Sequence, residues 1–367
     1  MVVAAVTAAA GPVPAHRPRR VRVASGGVPA LLSDLTTLRL GGAAGRVATA
    51  SSADDLVSIV RAADAAAEPA LIVGGGSNIV VADDGWPGVV VLVRSQGIAV
   101  ERVDPNTVSV VVQAGVPWDS FVAMSVREGW SGLAAMSGIP GMTGATPIQN
   151  VGAYGTEVAD VITGLTVLDR STDAVESWSP DRCGFGFRTS AFKYTDRYVV
   201  IDVMFSLRVS PDGVPVRYLE VARRLGIEAG ETAPSDKVRD VVLELRRSKG
   251  MLLDADDHDT WSVGSFFVNP FVAAGEVPDG CPFWTVDGRT KLSAAWLIEN
   301  AGFGRGYGLD RRGGAVSVST KHTLALTNRG GATTADLLDL AREIRAGVKA
   351  KYGVVLRPEA QLVGVEL

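Results

Sequence analysis

The residues from Gly138 to Gly155 read GIPGMTGATPIQNVGAYG, and their composition sets the terms for the rest of the chain. The stretch holds five glycines and two prolines but no Lys, Arg, Asp or Glu, so it is neither a solvated linker nor a helix. Glycine permits positive φ and lets a ligand approach the main chain, while proline fixes the dihedrals beside it. Thr146, Gln149 and Asn150 add side-chain hydrogen-bonding groups. Such backbone is shaped to hold something, and a large polyphosphate cofactor suits it. A buried tight loop between two strands has the same composition, so the flanks must decide.

On the N-terminal side, Ser52 and Asp55 form an S-x-x-D capping box ahead of Leu56, Ile59, Val60, Ala63 and Ala67, which predicts an amphipathic helix ended by Pro69. ALIV then runs as a buried strand into GGGSN, Gly74 to Asn78, whose amides and Ser77 can hold a pyrophosphate. A plain β-turn fits that loop equally well until a second glycine loop is found, and the stretch from Gly138 is that second loop. No G-x-G-x-x-G opens a helix and no G-x-x-x-x-G-K-[ST] occurs, so neither a Rossmann site nor a Walker loop is indicated. Val89 to Val93 and Val108 to Val112 are β-branched strands, and Trp118 to Glu128 is a short helix stopped by Gly129.

On the C-terminal side come strands at LTVLD, Leu165 to Asp169, and VVIDVMFSL, Val199 to Leu207. PDGVPVRYLEV reads as a turn-rich connection into a second domain. A helix follows with Ser235 as N-cap and Val238, Val241, Val242 and Leu245 on one face. KLSAAWLIENAGFG predicts another helix, with strands around Val316 and Leu324 after it. Thr333 and Asp336 cap a long amphipathic helix closed by Gly353, and a last strand pair brackets Pro358 and Glu359.

The totals exclude several classes. Of 367 residues, 47% are hydrophobic and 21% charged, and 36 basic against 40 acidic side chains give a formal charge of −4. That balance attracts neither nucleic acid nor anionic lipid, so an anionic ligand must be met by local cations. Cys183 and Cys281 lie far apart without ligand-spaced neighbours, which argues against disulfides or a zinc site and for a cytoplasmic protein. No apolar run reaches the roughly 18 residues of a membrane span. Residues 1–29, with Arg17, Arg19, Arg20 and Arg22 following the apolar opening, are expected to form a solvated, disordered tail and not a secretion signal.

Several residues have the chemistry of a site. FGFRTSAFK places Arg188 and Lys193 among aromatics, where a guanidinium either packs on rings or grips a carboxylate. LRRSKG sets Arg246, Arg247 and Lys249 at a helix end, where the dipole favours cations in any case. Ser265 lies in GSFFVNP, with Asn269 four residues on. A hydroxyl there can donate a proton, yet no G-x-S-x-G elbow surrounds it, and the three histidines, His16, His258 and His322, offer no triad. Asp256, Asp257, His258 and Asp259 read as a solvated loop, since adjacent residues rarely converge on one ion. Glu359 is either a buried acid or an exposed edge residue.

Taken together, GGGSN, GIPGMTGATPIQNVGAYG, FGFRTSAFK, PVRYLEV, LRRSKG, VGSFFVNP, KLSAAWLIENAGF, STKHTLALTN and LRPE resemble, in one order from about Thr36 onward, the UDP-N-acetylenolpyruvoylglucosamine reductases. PVRYLEV is similar to the subgroup with an extra tyrosine-bearing loop over the substrate. The resemblance implies an α+β fold: a vanillyl-alcohol-oxidase-type FAD-binding domain of two α/β subdomains, residues 30–95 and 96–212, and a substrate-binding α+β domain, residues 213–367. It implies bound FAD, NADPH as hydride donor, UDP-N-acetylglucosamine enolpyruvate as substrate, no metal, no nucleic acid, and a monomer. Gly74, Gly75, Gly76, Ser77, Asn78, Gly141, Gly144, Ala145, Thr146, Gln149, Asn150 and Gly152 would hold the FAD. Arg188, Ser265 and Glu359 match the family's catalytic set, and Tyr154, Tyr218, Lys249, Asn269 and His322 its substrate-binding set. Phe187 stands where many relatives have Tyr, and His322 where some have Gln; only His can change charge near neutral pH. A paralogue without redox activity, or an oxidase of the same fold, are the alternatives. The first would lack the cradle or the Arg, Ser and Glu set, and the second leaves GSFFVNP and LRPE together unexplained.

Overall fold

The computed structural model describes residues 30–210, 212–286 and 288–367; the expected tail lies outside the described residues. The first layer comprises β1 (Ala44–Ala50), α1 (Ala53–Ala65), β2 (Ala70–Val73), β3 (Ile79–Val81) and β4 (Trp86–Val93). Its three-stranded sheet runs β1-β4-β2 with both pairings parallel. The unbroken valine run of β4 follows from burial on both faces: Val89, Val91 and Val93 enter one core, Val90 and Leu92 the other. Ser52 accepts the Asp55 N–H at 3.0 Å, as the capping pattern predicts, but Asp55 reaches back to the N–H of Ser51 at 3.1 Å, one residue earlier than a reciprocal box.

The second layer is antiparallel. It contains β5 (Ile98–Asp104), β6 (Thr107–Gln113), α2 (Trp118–Arg127), β7 (Ile162–Asp169), β8 (Ala174–Trp178) and β9 (Tyr198–Val209), in the order β8-β7-β9-β6-β5. Along β9, Val203, Phe205 and Leu207 face α2, where Phe121 and Phe205 pack at 5.1 Å. Val199 and Ile201 instead join the core of the first layer. One strand thus ties the layers together.

The stretch Gly138–Gly155 lies between them as largely irregular backbone, with a 3-10 turn at Thr143–Ala145 and a short strand at Gly152–Ala153 that pairs antiparallel with Thr156–Glu157. Its geometry explains its composition. A Cβ on Gly144 would fall 2.4 Å from that of Ala114, and Asn150 and Tyr154 have φ of 45° and 51°. Its first N–H, on Gly138, donates to Asp119 of α2 at 2.6 Å, and Asp119 also receives both guanidinium arms of Arg239 at 2.6 and 2.8 Å.

The last third contains α3 (Leu219–Leu225), α4 (Ser235–Ser248), β10 (Phe271–Val272), β11 (Phe283–Val286), β12 (Arg289–Leu292), α5 (Ala294–Asn300), β13 (Val316–Val318), β14 (Leu326–Asn328), α6 (Thr334–Tyr352) and β15 (Gln361–Val363). Four expectations change here. PVRYLEV is not only a connection: Tyr218 is the N-cap of α3, and Gly226 closes it at φ 72°. The N-cap of α4 is Pro234, which leaves Ser235 as its first residue and buried. The strand placed around Leu324 begins at Leu326 instead. The final strand pair is one strand plus a bridge, since Pro358 pairs only with Phe267 before β15 begins. The capping box at Thr333 and the left-handed Gly353 end α6 as read from sequence. β15 then returns across the molecule to lie parallel to β3.

Asp119 joins α2, α4 and the glycine-rich stretch through three charge-assisted hydrogen bonds, with its side chain 39% exposed. Asp119→Ala is expected to lower unfolding free energy by about 1–2 kcal/mol in urea titrations, solvent screening keeping the loss below that of a dry site. An unchanged midpoint would show that the junction carries no stability.

Candidate active site

The two glycine loops touch. A Cβ on Gly75 would lie 2.7 Å from the Cα of Gly141, so only glycine allows the approach. Ser77 donates to the Pro140 carbonyl at 3.1 Å and Asn78 to the Gln149 carboxamide oxygen at 2.6 Å, which clamps one loop to the other. From behind, Arg94 donates to the Gly74 carbonyl at 2.8 Å, and burial pulls its guanidinium below the usual value.

Together the loops wall a cavity of about 410 Å³. Gly74 to Asn78, Gly141, Ala145, Thr146, Gln149, Gly152 and Tyr154 are on its wall, and so are Arg188, Tyr218, Lys249, Ser265, His322 and Glu359. A second cavity of about 290 Å³ shares Gly74, Met142 and Ala145 with it and is lined further out by Gly144, Tyr198 and Val200. Two adjoining spaces that meet at Gly74, one of them walled by both glycine loops, fit an extended dinucleotide.

Two residues of the expected set line neither cavity. Asn150 is buried and directs its amide to Glu157 at 2.7 Å and the Gly186 carbonyl at 3.2 Å, while its oxygen accepts from Ala159, so it shapes the cradle from within. Asn269 accepts from the N–H of Ala294 at 2.9 Å and thereby caps the start of α5.

At one end of the larger cavity, Arg188 and Glu359 meet with 3.3 Å between Nε and Oε1. Arg188 has φ 55°, a left-handed conformation unusual outside glycine, and its guanidinium also donates to the Gly152 carbonyl at 2.7 Å. Glu359 is fixed by its own N–H, which donates to Phe266 at 2.8 Å. Lys193 donates to the carbonyls of Arg188 and Glu359 at 3.2 and 3.1 Å, a bracing role that sequence reading left unassigned. Burial pushes the Glu359 carboxyl above its ordinary value, against the opposing pull of Arg188 and Lys193. The acid keeps only 15% of its side-chain surface open. Ser265 precedes Phe266 on the same segment and lines the cavity beside them. A cation, a carboxyl biased toward its protonated form and a hydroxyl therefore converge, a set able to stabilise a developing oxyanion and deliver a proton. Phe187, lacking a hydroxyl, offers its ring face to Lys291 at 4.2 Å.

The other end is cationic. Arg246 and Lys249 stand three residues apart where α4 closes and both line the cavity, with Tyr154 and Tyr218 edge-on at 5.2 Å between ring centres. Arg246 is buried, and its Nε has no hydrogen-bond partner among the described residues. The i,i+3 spacing within LRRSKG was the available signal for this pair, obscured because a helix end accounts for cations by itself. Burial first, and then Lys249, Arg305 and Arg246, pull His322 down to about 4, so it stays neutral at neutral pH and hydrogen-bonds as Gln would. The charge change that distinguishes His from Gln is thereby moved well below neutrality.

The acidic run before it is solvated at Asp256 but not at its far end. Asp259 is buried, accepting from the Thr320 N–H at 2.8 Å and from Arg329 at 2.9 Å, and so folds the turn that carries His322. Among the described residues no group of His, Cys, Asp and Glu could hold a metal ion.

Two family models match the chain: an FAD binding domain over residues 44–177 and the UDP-N-acetylenolpyruvoylglucosamine reductase C-terminal domain over residues 256–363. A UDP-N-acetylenolpyruvoylglucosamine reductase from Thermobifida fusca (strain YX) is 52% identical, covering 92% of this chain and 97% of its own. Another from Salinispora arenicola (strain CNS-205) is 54% identical, covering 92% and 95%. The crystal structure of UDP-N-acetylenolpyruvylglucosamine reductase from Thermus caldophilus superposes with a TM-score of 0.62 over 92% of this chain and 98% of that one, at 24% identity, which speaks to fold. The α+β architecture is thus a vanillyl-alcohol-oxidase-type FAD-binding domain followed by a reductase C-terminal domain. With half its residues shared across nearly the whole length of such relatives, the chain belongs to the UDP-N-acetylenolpyruvoylglucosamine reductase family of FAD-dependent oxidoreductases.

Proposed function

We propose that Arg188, Glu359 and Ser265 carry the family reaction, the NADPH-dependent reduction of UDP-N-acetylglucosamine enolpyruvate to UDP-N-acetylmuramate. The observation that supports this is their convergence on the wall of a cavity that the glycine cradle also lines. Backbone of Gly74, Gly75, Gly76, Gly141, Gly144, Ala145 and Gly152, with Asn78, Thr146 and Gln149 beside it, would hold the FAD. Ser77 and Asn150 would shape that cradle through their internal hydrogen bonds. FAD held there would supply the chemistry of hydride transfer from NADPH to the methylene carbon of the enolpyruvyl ether.

Arg188 and a protonated Glu359 then stabilise the negative charge that develops on the neighbouring carboxylate. Ser265 gives its proton to the carbon bearing the ether oxygen. At the cationic end, Tyr218 and Lys249 meet the diphosphate, with Tyr154 and neutral His322 completing the wall; Asn269 enters this set on the family resemblance alone. Residues 30–95, 96–212 and 213–367 are proposed as two FAD-binding subdomains and a substrate domain. A monomer acting in the cytoplasm, in peptidoglycan synthesis and hence in cell shape and division, completes the proposal. No helix among the described residues is long and apolar enough to cross a membrane.

Ser265→Ala is expected to retain yellow FAD and its reduction by NADPH, while substrate-dependent reoxidation in stopped flow slows by about a hundred- to a thousand-fold. Normal reoxidation would remove Ser265 from the mechanism. Lys249→Ala should weaken the nucleotide sugar without altering FAD content. Glu359 also makes stability depend on pH. Because its folded value is raised, the native state binds more protons than the unfolded one above pH 4.5, and stability falls as pH rises through that window. Urea titrations of Glu359→Gln across the window should show a flatter profile than wild type; parallel profiles would mean the carboxyl is not held protonated.

A further inference from the structure

Glu220 lies in the first turn of α3, two residues after Tyr218, and outside the cavity wall. Its carboxylate accepts from the Lys249 ammonium at 3.0 Å, with side chains 41% and 31% exposed respectively. It is the carboxylate that the structure pairs with this cation among the described residues. Close by, Arg246 feels the Asp119 carboxylate, which already accepts two hydrogen bonds from Arg239, and Arg305 adds a further positive charge acting on His322. The cavity end therefore holds more positive than negative charge even with Glu220 in place.

We propose that Glu220 is a specificity-determining residue: a carboxylate that occupies Lys249 until a ligand of higher negative charge displaces it. The proposal rests on reading this cavity as the nucleotide-sugar site. A half-exposed ion pair holds weakly, so exchange is open to competitors. A neutral ligand leaves the pair intact. A diphosphate takes over Lys249 and still has charge to face Arg246, while Glu220 turns to water. Discrimination by ligand charge is then set by how firmly Glu220 holds the lysine. A purely structural role is the competing account, since an acid in a first helical turn complements the helix dipole.

The test uses FAD-loaded wild type and Glu220→Gln, titrated with UDP and with uridine and followed by the flavin absorption spectrum. UDP is expected to bind the variant about two- to five-fold more tightly, with uridine unchanged. UDP binding that is unchanged or weaker in the variant, while wild type binds UDP, overturns the role of Glu220 alone. Equal weakening of both ligands with a lowered melting temperature would assign the residue to helix stability and likewise overturn it. Failure of wild type to bind UDP at all would bring down the site reading and this proposal together. Glu220→Asp, which keeps the charge on a shorter arm, should bind UDP with an affinity between the two; tighter binding than Glu220→Gln would also contradict displacement.

Discussion

The parallel pairing of β15 with β3 is the constraint on which the site depends. Gln361 donates to the Asn78 carbonyl at 3.0 Å, and Leu362 and Val363 register with Val80 and Val81. Asn78 is the last residue of the first glycine loop, so the pairing brings residue 359 to the cradle. The bridge between Pro358 and Phe267 then sets the acid beside the segment of Ser265. Arg188, held by the Gly152 carbonyl, meets it from the opposite side. Backbone pairing, with the guanidinium of Arg188 on the Gly152 carbonyl, thus fixes the spacing of three side chains drawn from widely separated parts of the chain.

The two ends of the cavity are electrostatically unlike. At one, a single guanidinium faces an acid that burial biases toward neutrality, so the site has capacity to absorb negative charge that appears during reaction. At the other, burial, and after it Lys249, Arg305 and Arg246, keep His322 neutral, and the cations leave an excess of positive charge for an anionic ligand. A protein with formal charge −4 can therefore attract an anion through local placement of cations, with no change to its overall balance.

Much of this was legible in residue order. Period-two valines, caps at Ser52 and Thr333 and the closing Gly353 are local signals, and local signals survive into the structure because packing agrees with them. The contact between the loops was legible as glycine but not as a specific meeting of Gly75 with Gly141. What was not legible depends on distant partners. Asp259 looks solvated until Thr320 and Arg329 arrive, His322 looks titratable until burial and three cations act on it, and Glu359 is ambiguous until Phe266 and Arg188 enclose it. Helix α3 was hidden because Pro215 and Gly213 dominate the local reading, whereas Val221 and Ala222 form it by packing on Val238 and Val242 of the following helix.

The strand that carries residue 359 to Asn78 also has a consequence for synthesis. A ribosome makes the chain from its N-terminus, and the first sheet, built from residues 44–93, can close long before the partner of β3 exists. No nascent chain stopped short of residue 359 possesses the acid, and none stopped short of 361 can form the pairing that places it. The reacting end of the cavity is assembled only once residues 359–361 exist, well after the first sheet, so a product terminated before them would present a glycine cradle with no completed chemistry beside it.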